Sequence, residues 1–463
     1  MSEAPLKLPK PLALYLPTEP PPFLYAYRCE FCLFWTKDEK CQIVSEKGPP
    51  HNNRIAAEAW CLPPNALIVS NPACKPIEQI TSLDTVLSHD GLYHNVTGVS
   101  KRKYEGFLYR VKAFGEPAFE CTEEHPVYIK QRIDKRKRVW ARTRSRKRIW
   151  GQPAWKAVKD LRIGDRILIP IPQETRDISN IQIKVDVREQ YSIPSHFYHV
   201  FDVPIDDRFM TLAGYYLSEG HVNAYRLIFS FHVDEPQYHN EVIANFKDLF
   251  NFIPKAYPYK TQKTTAILVR NSPLSQLFFT LFNKGAANKA IPSWMMYLPL
   301  EKQRFLIRSL WNGDGYWGHY GISYTSVSKV LAYQLHLLLL RAGIISNLVT
   351  NRAKTDKRGI SHRESYCVNI SQRESQLKLA NILGTSVKLK TVATDSPRGV
   401  RLRLEDGFLT TPIAQIERIP YKGPVYNLEV EGSNSFVTMG ATCHNCLLWW
   451  PNGKNEPFSW IGG

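Results

Sequence analysis

The sequence predicts a multi-domain protein in which an all-β domain is split by an α+β domain and flanked by a short segment at each end. Apolar runs separated by turn residues, typical of β-strands, fill residues 61–174 and return over 401–445. Between them, residues 175–400 contain apolar segments of helical length that end at glycine. Residues 1–60 and 446–463 form the end segments of this 463-residue chain.

Each predicted strand is a short run rich in β-branched and aromatic residues. The runs of the first β part are "NALIVS", "DTVLSHDG", "HNVTGVSKR", "GFLYRVKAF", "HPVYIK" and "IGDRILIPI", and those of the second are "IAQIERIPY", "PVYNLEVE" and "NSFVTM". The predicted helices are "FMTLAGYYLSEG", "KQRFLIRSLWNGDG" and "SKVLAYQLHLLLLRAGI". Because the helices lie between the two groups of strands, the α+β part reads as an insert.

The charge distribution singles out the same middle segment. The formal net charge is +18, yet residues 1–60 carry seven Lys/Arg and seven Asp/Glu, and residues 446–463 carry one of each. All of the excess positive charge therefore lies in residues 61–445. This pattern indicates a polyanionic partner such as nucleic acid, with a merely solvated basic surface as the alternative.

The sequence predicts no membrane association, because it contains no run of about 18 uncharged apolar residues. Its first residues, "MSEAPLKLPKPLALYLPTEPPP", place lysine and proline where a secretory signal has an apolar region. The expected compartment is therefore the cytoplasm, where metal binding or catalysis explains cysteine better than disulfides do.

Reactive residues stand at both borders of the middle segment. Cys61 opens it, and residues 443–446 read Cys-His-Asn-Cys at its end. A thiol can attack the carbonyl carbon of its preceding peptide bond and convert the amide to a thioester. An asparagine side chain can attack its own main-chain carbonyl and break the chain, while a neighbouring histidine protonates the leaving amine. His444, Asn445 and Cys446 therefore read as an assisting residue, a cyclising residue and a receiving nucleophile.

Three sequence blocks, in the required order, resemble those of an intein, a self-splicing element that interrupts a host protein. The first, "CLPPNALIV", opens with Cys61. The second, "FECTEEHPVYI", matches the T-x-x-H block through Thr122 and His125, and the third, "PVYNLEVEGSNSFVTMGATCHNC", matches the C-terminal splicing block. The resemblance covers residues 61–445 and implies the horseshoe-like all-β Hint fold, with no cofactor for splicing.

The resemblance implies a role for each residue at the first junction. Cys61 makes an acyl shift at the Trp60–Cys61 bond, His125 protonates the leaving nitrogen, and Thr122 supports it. Taken alone, without the other blocks, Thr122 and His125 would fit an ordinary β-turn pair better.

At the second junction, the resemblance implies that Cys446 accepts the acyl group and that Asn445 then cyclises with help from His444. A final shift would join Trp60 to Cys446 by an ordinary peptide bond. The sequence departs from the family at two positions, because Asn427 stands where Asp is frequent and Asn434 where His is frequent. The order and efficiency of the steps therefore stay open.

Two predicted helices of the insert end alike. "LAGYYLSEG" closes on Glu219-Gly220, and "IRSLWNGDG" closes on Asp314-Gly315. Each glycine suits a left-handed helix cap. If the two helices pair, Glu219 and Asp314 converge at one edge, where their carboxylates would hold divalent metal for phosphodiester hydrolysis. Oxygen ligands without His or Cys favour Mg²⁺.

The two helix endings resemble paired LAGLIDADG motifs of homing endonucleases. Small residues such as Ala213, Gly214 and Ser309 would allow the close helix crossing of that family. The resemblance implies a monomer with pseudo-twofold symmetry that binds double-stranded DNA and cleaves it with Mg²⁺. It also implies a catalytic lysine between the motifs, for which Lys289 is the first candidate and Lys284 the second.

A basic run lies within the first β part. Residues 130–150 contain eleven Lys/Arg and one Asp, and Val139, Trp140, Ile149 and Trp150 suggest a β-hairpin with a basic tip. Such a density of cations predicts salt-dependent contact with a DNA backbone, with the tryptophans available for stacking; a flexible solvated loop is the alternative. The candidate DNA-binding residues are Arg132, Lys135, Arg136, Lys137, Arg138, Arg142, Arg144, Arg146, Lys147 and Arg148.

Splicing would unite four cysteines in a small host protein, namely Cys29, Cys32, Cys41 and Cys446. Their aromatic neighbours suit an iron–sulfur cluster, which would imply a redox partner. A Zn²⁺ site with four cysteines is the alternative. A different interpretation of the whole chain is an unspliced metal-binding and DNA-binding protein with an inactive endonuclease.

Overall fold

The computed structural model describes residues 61–445 and 458–460, with gaps at 72–73, 136–146, 190–194, 224, 260, 262, 319–320, 356–358, 360 and 386–400. The predicted host ligands Cys29, Cys32, Cys41 and Cys446 lie outside the described residues. The chain divides into two compact units, the first formed by residues up to Pro170 and from Arg401 onward, the second by Ile171–Val400. No helix in the described part of the chain is long and apolar enough to span a membrane.

The elements follow one another in three groups. The first unit begins with the strands β1 (Leu67–Asn71), β2 (Cys74–Pro76), β3 (Thr85–Leu87), β4 (Tyr93–Ala113), β5 (Phe119–Thr122), β6 (Pro126–Lys135), β7 (Lys147–Ala157) and β8 (Arg166–Pro170). The second unit contains β9 (Asn180–Glu189), β10 (Ser195–Pro204), α1 (Asp207–Glu219), β11 (Gly220–Asn223), β12 (Arg226–His232), α2 (Pro236–Phe250), β13 (Lys255–Tyr259), β14 (Thr264–Val269), α3 (Ser272–Phe282), α4 (Ser293–Met296), α5 (Leu300–Asp314), β15 (Gly315–Gly318), β16 (Gly321–Ser326), α6 (Lys329–Arg341), β17 (Asn347–Asn351), β18 (Lys354–Thr355), β19 (Ser361–His362), β20 (Ser365–Ile370) and α7 (Arg373–Leu383). The first unit resumes with β21 (Arg403–Glu405), β22 (Phe408–Val430), β23 (Ser435–Thr438), β24 (Ala441–His444) and β25 (Phe458–Trp460).

A long antiparallel ladder between β4 and β22 forms the centre of the first unit. Its register runs from Ile413 opposite Ala113 to Val430 opposite Val96. At one end, β22 continues into a pairing with β8. β24 lies between β23 and β6 in the same sheet, so the last described strand before Asn445 is an interior one.

The strands β4 and β22 are each longer than the sequence predicted. The run "GFLYRVKAF" continues the run before it, and "PVYNLEVE" continues "IAQIERIPY". Glycine lies inside both strands because a tyrosine ring folds back over it. A Cβ on Gly106 would lie 2.8 Å from the Tyr104 hydroxyl oxygen, and one on Gly423 would lie 2.8 Å from the Tyr421 hydroxyl oxygen. These glycines make room for rings within a strand and do not mark turns.

The second unit contains one arrangement of elements twice. The order α1, β11, β12, α2, β13, β14, α3 in its first half returns as α5, β15, β16, α6, β17, β20, α7 in its second. The sheets have the matching orders β11-β12-β14-β13 and β15-β16-β20-β17. The register repeats as well, since Gly220 lies opposite Phe229 and Gly315 opposite Tyr324. This repetition is what a pseudo-twofold domain requires.

Helices α1 and α5 pack against each other through glycine. A Cβ on Gly214 would overlap the Ser309 hydroxyl, and a Cβ on Gly313 would overlap the Ser218 hydroxyl. Glycine at both positions therefore sets how closely the two helix backbones approach. The sequence predicted Gly214 and Ser309 for this contact and missed the other pair.

The left-handed caps predicted for α1 and α5 are wrong. Gly220 has a φ of −86° and Gly315 a φ of −81°, so both are extended. Each helix runs directly into a strand, which requires extended backbone at that residue. A Cβ on Gly220 would overlap Tyr216, and one on Gly315 would overlap Trp311. Glycine is required at both positions because there is no space for a Cβ, and not because the backbone is left-handed.

We expect Gly214→Ala to destabilise the second unit by about 1–3 kcal/mol, because the added methyl overpacks the contact with α5. This loss should outweigh the gain of about 1 kcal/mol in helix propensity. The midpoint of urea unfolding, followed by circular dichroism at 222 nm, would report the change. Lys247→Ala, at an exposed position of α2, is the matched control. An unchanged midpoint for Gly214→Ala would contradict the packing argument.

Candidate functional site

The structure brings the two predicted acids of the second unit together. Glu219 is the last residue of α1 and Asp314 the last of α5. A Cβ on Gly313 would lie 3.0 Å from Cγ of Glu219, so this side chain rests on the partner helix. Burial and the negative charge of Asp314 raise the pKa of Glu219 to about 7, and burial raises the pKa of Asp314. Two carboxylates therefore share a poorly solvated place.

Lys289 lies beside these acids at the end of α1. Its ammonium donates to the main-chain oxygens of Tyr216, Leu217 and Ser218 at 2.8, 3.1 and 3.2 Å. Burial lowers the pKa of Lys289 to about 8, against the opposing effect of both carboxylates. The second candidate, Lys284, is exposed, and its main-chain oxygen accepts from the Asn288 side chain. The geometry therefore favours Lys289.

The site includes a tyrosine that the sequence argument missed. Tyr324 is fully buried on β16 opposite Gly315, and its hydroxyl has no hydrogen-bond partner among the described residues. Burial and the charges of Asp314 and Glu219 raise its pKa well above the usual value. Its equivalent in the first half is Phe229, so an alignment of the two halves would have drawn attention to this hydroxyl.

The donor set of this site fits a hard divalent cation. Mg²⁺ uses one or two protein carboxylates and completes its coordination with water and substrate phosphate oxygens. Within the described ranges, no group of three or more His, Cys, Asp or Glu side chains could hold a metal. A cation between Glu219 and Asp314 would also relieve the repulsion that raises the pKa of Glu219.

In the first unit, Cys61 and Thr122 are held by reciprocal hydrogen bonds. The main-chain N–H of Cys61 donates to the Thr122 hydroxyl at 3.0 Å, and the N–H of Thr122 donates to the Cys61 carbonyl at 3.0 Å. Leu62 and Tyr426 exchange two further main-chain bonds of 2.8 Å. The nitrogen that would leave in an acyl shift at Cys61 is thus fixed against a hydroxyl.

His125 closes the turn that begins at Thr122 and carries a neutral ring. Its N–H donates to the Thr122 carbonyl at 3.1 Å, and neither ring nitrogen has a partner among the described residues. Burial and the nearby His444 lower the pKa of His125 to about 3. His444 lies at the end of β24, with Nδ1 2.8 Å from the Asn445 carbonyl oxygen. The imidazole of His125 is therefore uncharged at neutral pH.

Asn445 is buried, and both the oxygen and the nitrogen of its side-chain amide form hydrogen bonds. In the orientation that satisfies both ends, Oδ1 accepts from the Val430 N–H at 2.7 Å and Nδ2 donates to the Asn434 carbonyl at 2.5 Å. The Asn445 N–H donates to that same carbonyl at 3.0 Å. Asn434 adopts a left-handed φ of 51°, which asparagine tolerates. Asn434 thus positions Asn445 through its backbone.

The β24–β6 pairing brings the two junctions together. Cys443 lies opposite Val127, two residues after His125, and the Phe436 ring of β23 lies 6.3 Å from the His125 ring. Of the predicted splicing residues, Cys61, Thr122, His125, His444 and Asn445 share this region, while Cys446 lies outside the described residues.

The structure describes only part of the basic run. β6 and β7 form a hairpin with Lys135 opposite Lys147, and the tip residues Arg136, Lys137, Arg138, Arg142, Arg144 and Arg146 lie outside the described residues. Trp150 is half-buried and makes contacts within the first unit. Its indole N–H donates to the Gly164 carbonyl at 3.1 Å, and the Arg166 guanidinium lies over its ring at 4.5 Å.

Part of the second unit matches a known protein family. Residues 301–384 match the profile of the family described as LAGLIDADG-like domain, and this range includes Asp314. Among solved structures, the homing endonuclease I-DmoI in complex with DNA and Mn is similar, with 14% identity, a TM-score of 0.31, and coverage of 40% of this chain and 100% of that chain.

Three curated relatives match most of the chain. An uncharacterized protein of Methanocaldococcus jannaschii is 29% identical over 438 residues, covering 89% of this chain and 53% of the relative. The ATP-dependent DNA helicase Hel308 of Thermococcus kodakarensis is 26% identical and covers 84% and 36%. An iron-sulfur cluster assembly SufBD family protein of Mycobacterium bovis is 27% identical and covers 88% and 45%. The chain thus spans about half or less of each relative's length. It is a multi-domain, mostly β protein that contains a LAGLIDADG-like domain.

Proposed function

We propose that the second unit is a homing endonuclease that cleaves double-stranded DNA with a divalent cation. The observation that carries this proposal is the convergence of Glu219 and Asp314 at the ends of two packed helices, with Lys289 beside them. Glu219 and Asp314 would hold Mg²⁺, which would supply the charge that activates a water and stabilises the leaving oxygen. The repeated halves of this unit favour action as a monomer.

The protein's own residues would prepare this site in two ways. Gly214 and Gly313 let the helices approach closely enough for the carboxylates to meet. Lys289 neutralises the carbonyl end of α1, where its ammonium is held by three main-chain oxygens. The ammonium would lie near an incoming phosphate and offset its charge.

We further propose that residues 61–445 excise themselves by protein splicing. The junction geometry supports this, because Cys61, Thr122 and His125 lie in one region with His444 and Asn445. The relatives support it as well. A helicase and an iron–sulfur cluster assembly protein have unrelated names, yet each matches more than four-fifths of this chain. A segment shared by such different proteins is what an inserted element would produce.

In the proposed first step, the Cys61 sulfur attacks the Trp60 carbonyl carbon while the bond to the Cys61 nitrogen breaks. The thiol proton would end on that nitrogen, which His125 would protonate. Cys446 would then receive the acyl group, and the restrained Asn445 amide would cyclise. Joining the end segments would place Cys29, Cys32, Cys41 and Cys446 in one host protein, as ligands of an iron–sulfur cluster or Zn²⁺.

For the endonuclease, we expect Glu219→Gln and Asp314→Asn each to reduce cleavage by at least about 100-fold, because each removes a charge that holds the cation. A plasmid library of random duplex inserts, incubated with Mg²⁺ and sequenced at its cleaved ends, would show both activity and target. Asp248→Asn, at an exposed position of α2, is the control. Full cleavage by both acid variants would contradict the proposed site.

For splicing, we expect the wild-type chain to yield a product that lacks residues 61–445. Asn445→Ala combined with Cys61→Ala should leave the chain intact, because both bond-breaking steps lose their nucleophile. Mass spectrometry of the expressed protein distinguishes these outcomes. Asn351→Ala with Cys367→Ala, both in the second unit, is the matched control. Excision in the double junction variant would rule out the assigned roles.

The neutral state of His125 predicts a loss of stability in acid. The unfolded chain takes up a proton near pH 6.5, whereas the folded chain resists it down to about pH 3. The contribution of His125 to stability should therefore fall by about 1.4 kcal/mol per pH unit below pH 6.5, or about 2 kcal/mol by pH 5. Urea unfolding of the first unit at pH 7 and pH 5 in an Asn445→Ala background, with and without His125→Leu, isolates this contribution, and His125→Leu should reduce the loss in acid by about that amount. His232→Ala, at an exposed position, is the control.

A further inference from the structure

An arginine of β4 contacts the first nucleophile. Nε of Arg102 donates to Sγ of Cys61 at 3.5 Å. Arg102 lies opposite Val425 in the β4–β22 ladder, and Val425 packs directly against Cys61. The register of two long strands therefore places Arg102 beside Cys61.

Burial and one described cation determine the electrostatics of the Cys61 sulfur in the part of the chain that the structure describes. Cys61 is 1% exposed, and burial raises the pKa of its thiol, while the charge and the hydrogen bond of Arg102 lower it. Tyr104 and Tyr421 pack against the same cluster. Burial and the charge of Glu123 raise the pKa of Tyr104. The Arg102 guanidinium lies over the Tyr104 ring, 5.1 Å from its centroid. Among these neighbours, Arg102 is the cation that contacts the sulfur.

We propose that Arg102 is a further catalytic residue of the first junction, which stabilises Cys61 as a thiolate and aims it at the preceding carbonyl. This inference rests on the proposed splicing function. In the step that it assists, the Sγ–C bond to Trp60 forms and the C–N bond to Cys61 breaks. The thiol proton ends on the released nitrogen, so no oxidant, reductant or further reactant is needed.

The physical reason is the cost of ionising a buried thiol. A thiolate is the nucleophilic form, and an adjacent guanidinium lowers the pKa of a cysteine. Arg102 has a further advantage over a lysine at this place, because its planar guanidinium stays charged when it packs against Tyr104. No local pattern predicts this role, since Arg102 lies in the basic stretch "SKRKY" and resembles a solvated surface charge.

The test uses the full chain with Asn445→Ala and Cys446→Ala, which stop the reaction after the first step. One measurement is the titration of the Cys61 ¹³Cβ chemical shift, assigned by comparison with Cys61→Ser. The other is the rate of cleavage between Trp60 and Cys61 by added dithiothreitol. The variants are Arg102→Met, which keeps the apolar stem, and Arg102→Lys, which keeps a charge. Arg110→Met is the control, because Arg110 lies on the same strand and pairs with Glu120.

We expect Arg102→Met to raise the titration midpoint of Cys61 by at least about one pH unit and to slow thiolysis at pH 7 about tenfold. Arg102→Lys should recover part of both effects, and Arg110→Met should show neither. If Arg102→Met leaves the midpoint and the rate unchanged, the inference is wrong. If the midpoint shifts but even the parent chain gives no thiolysis, Arg102 does stabilise the thiolate and the splicing proposal fails instead. Should Arg102→Met prevent folding, Arg102→Lys and Arg102→Gln give the same comparison of charge.

Discussion

The antiparallel ladder between β4 and β22 is the interaction on which the first unit depends. It joins residues more than 300 positions apart, such as Val96 and Val430. Through Tyr426 it holds Leu62, and through Val425 it places Arg102 at the Cys61 sulfur. A slip of one residue would turn every side chain of one strand to the opposite face and separate these groups. The chemistry proposed for the first junction is therefore a property of strand register.

The second unit depends on a different constraint, namely close contact between two helix backbones. Gly214 and Gly313 permit that contact, and it forces the carboxylates at the helix ends into one poorly solvated place. The raised pKa values of Glu219 and Asp314 are the electrostatic consequence of this packing. In both units, then, charged or reactive groups are held in unfavourable surroundings by the packing and register of the backbone.

The sequence predicted local features well and cross-strand neighbours poorly. The helices α1, α5 and α6 follow from apolar runs that end at glycine, and the acids at two of those ends follow from the same pattern. In contrast, Arg102 and Tyr324 acquire their roles from residues across a sheet, which no local pattern reveals. The left-handed caps were predicted wrongly because glycine also serves where a side chain from the preceding turn occupies the space.

The pairing of β8 with β22 has a consequence for how such a chain can change over evolutionary time. Pro170, the last residue before the second unit, lies opposite Phe408 in neighbouring strands. Strand partners are about 5 Å apart, so a loop of a few residues would close the gap that residues 171–400 now fill. The hydrogen bonds of the sheet would be the same with either connection. An entire unit can thus be gained or lost at this point as if it were a surface loop, and the two units are free to have separate histories.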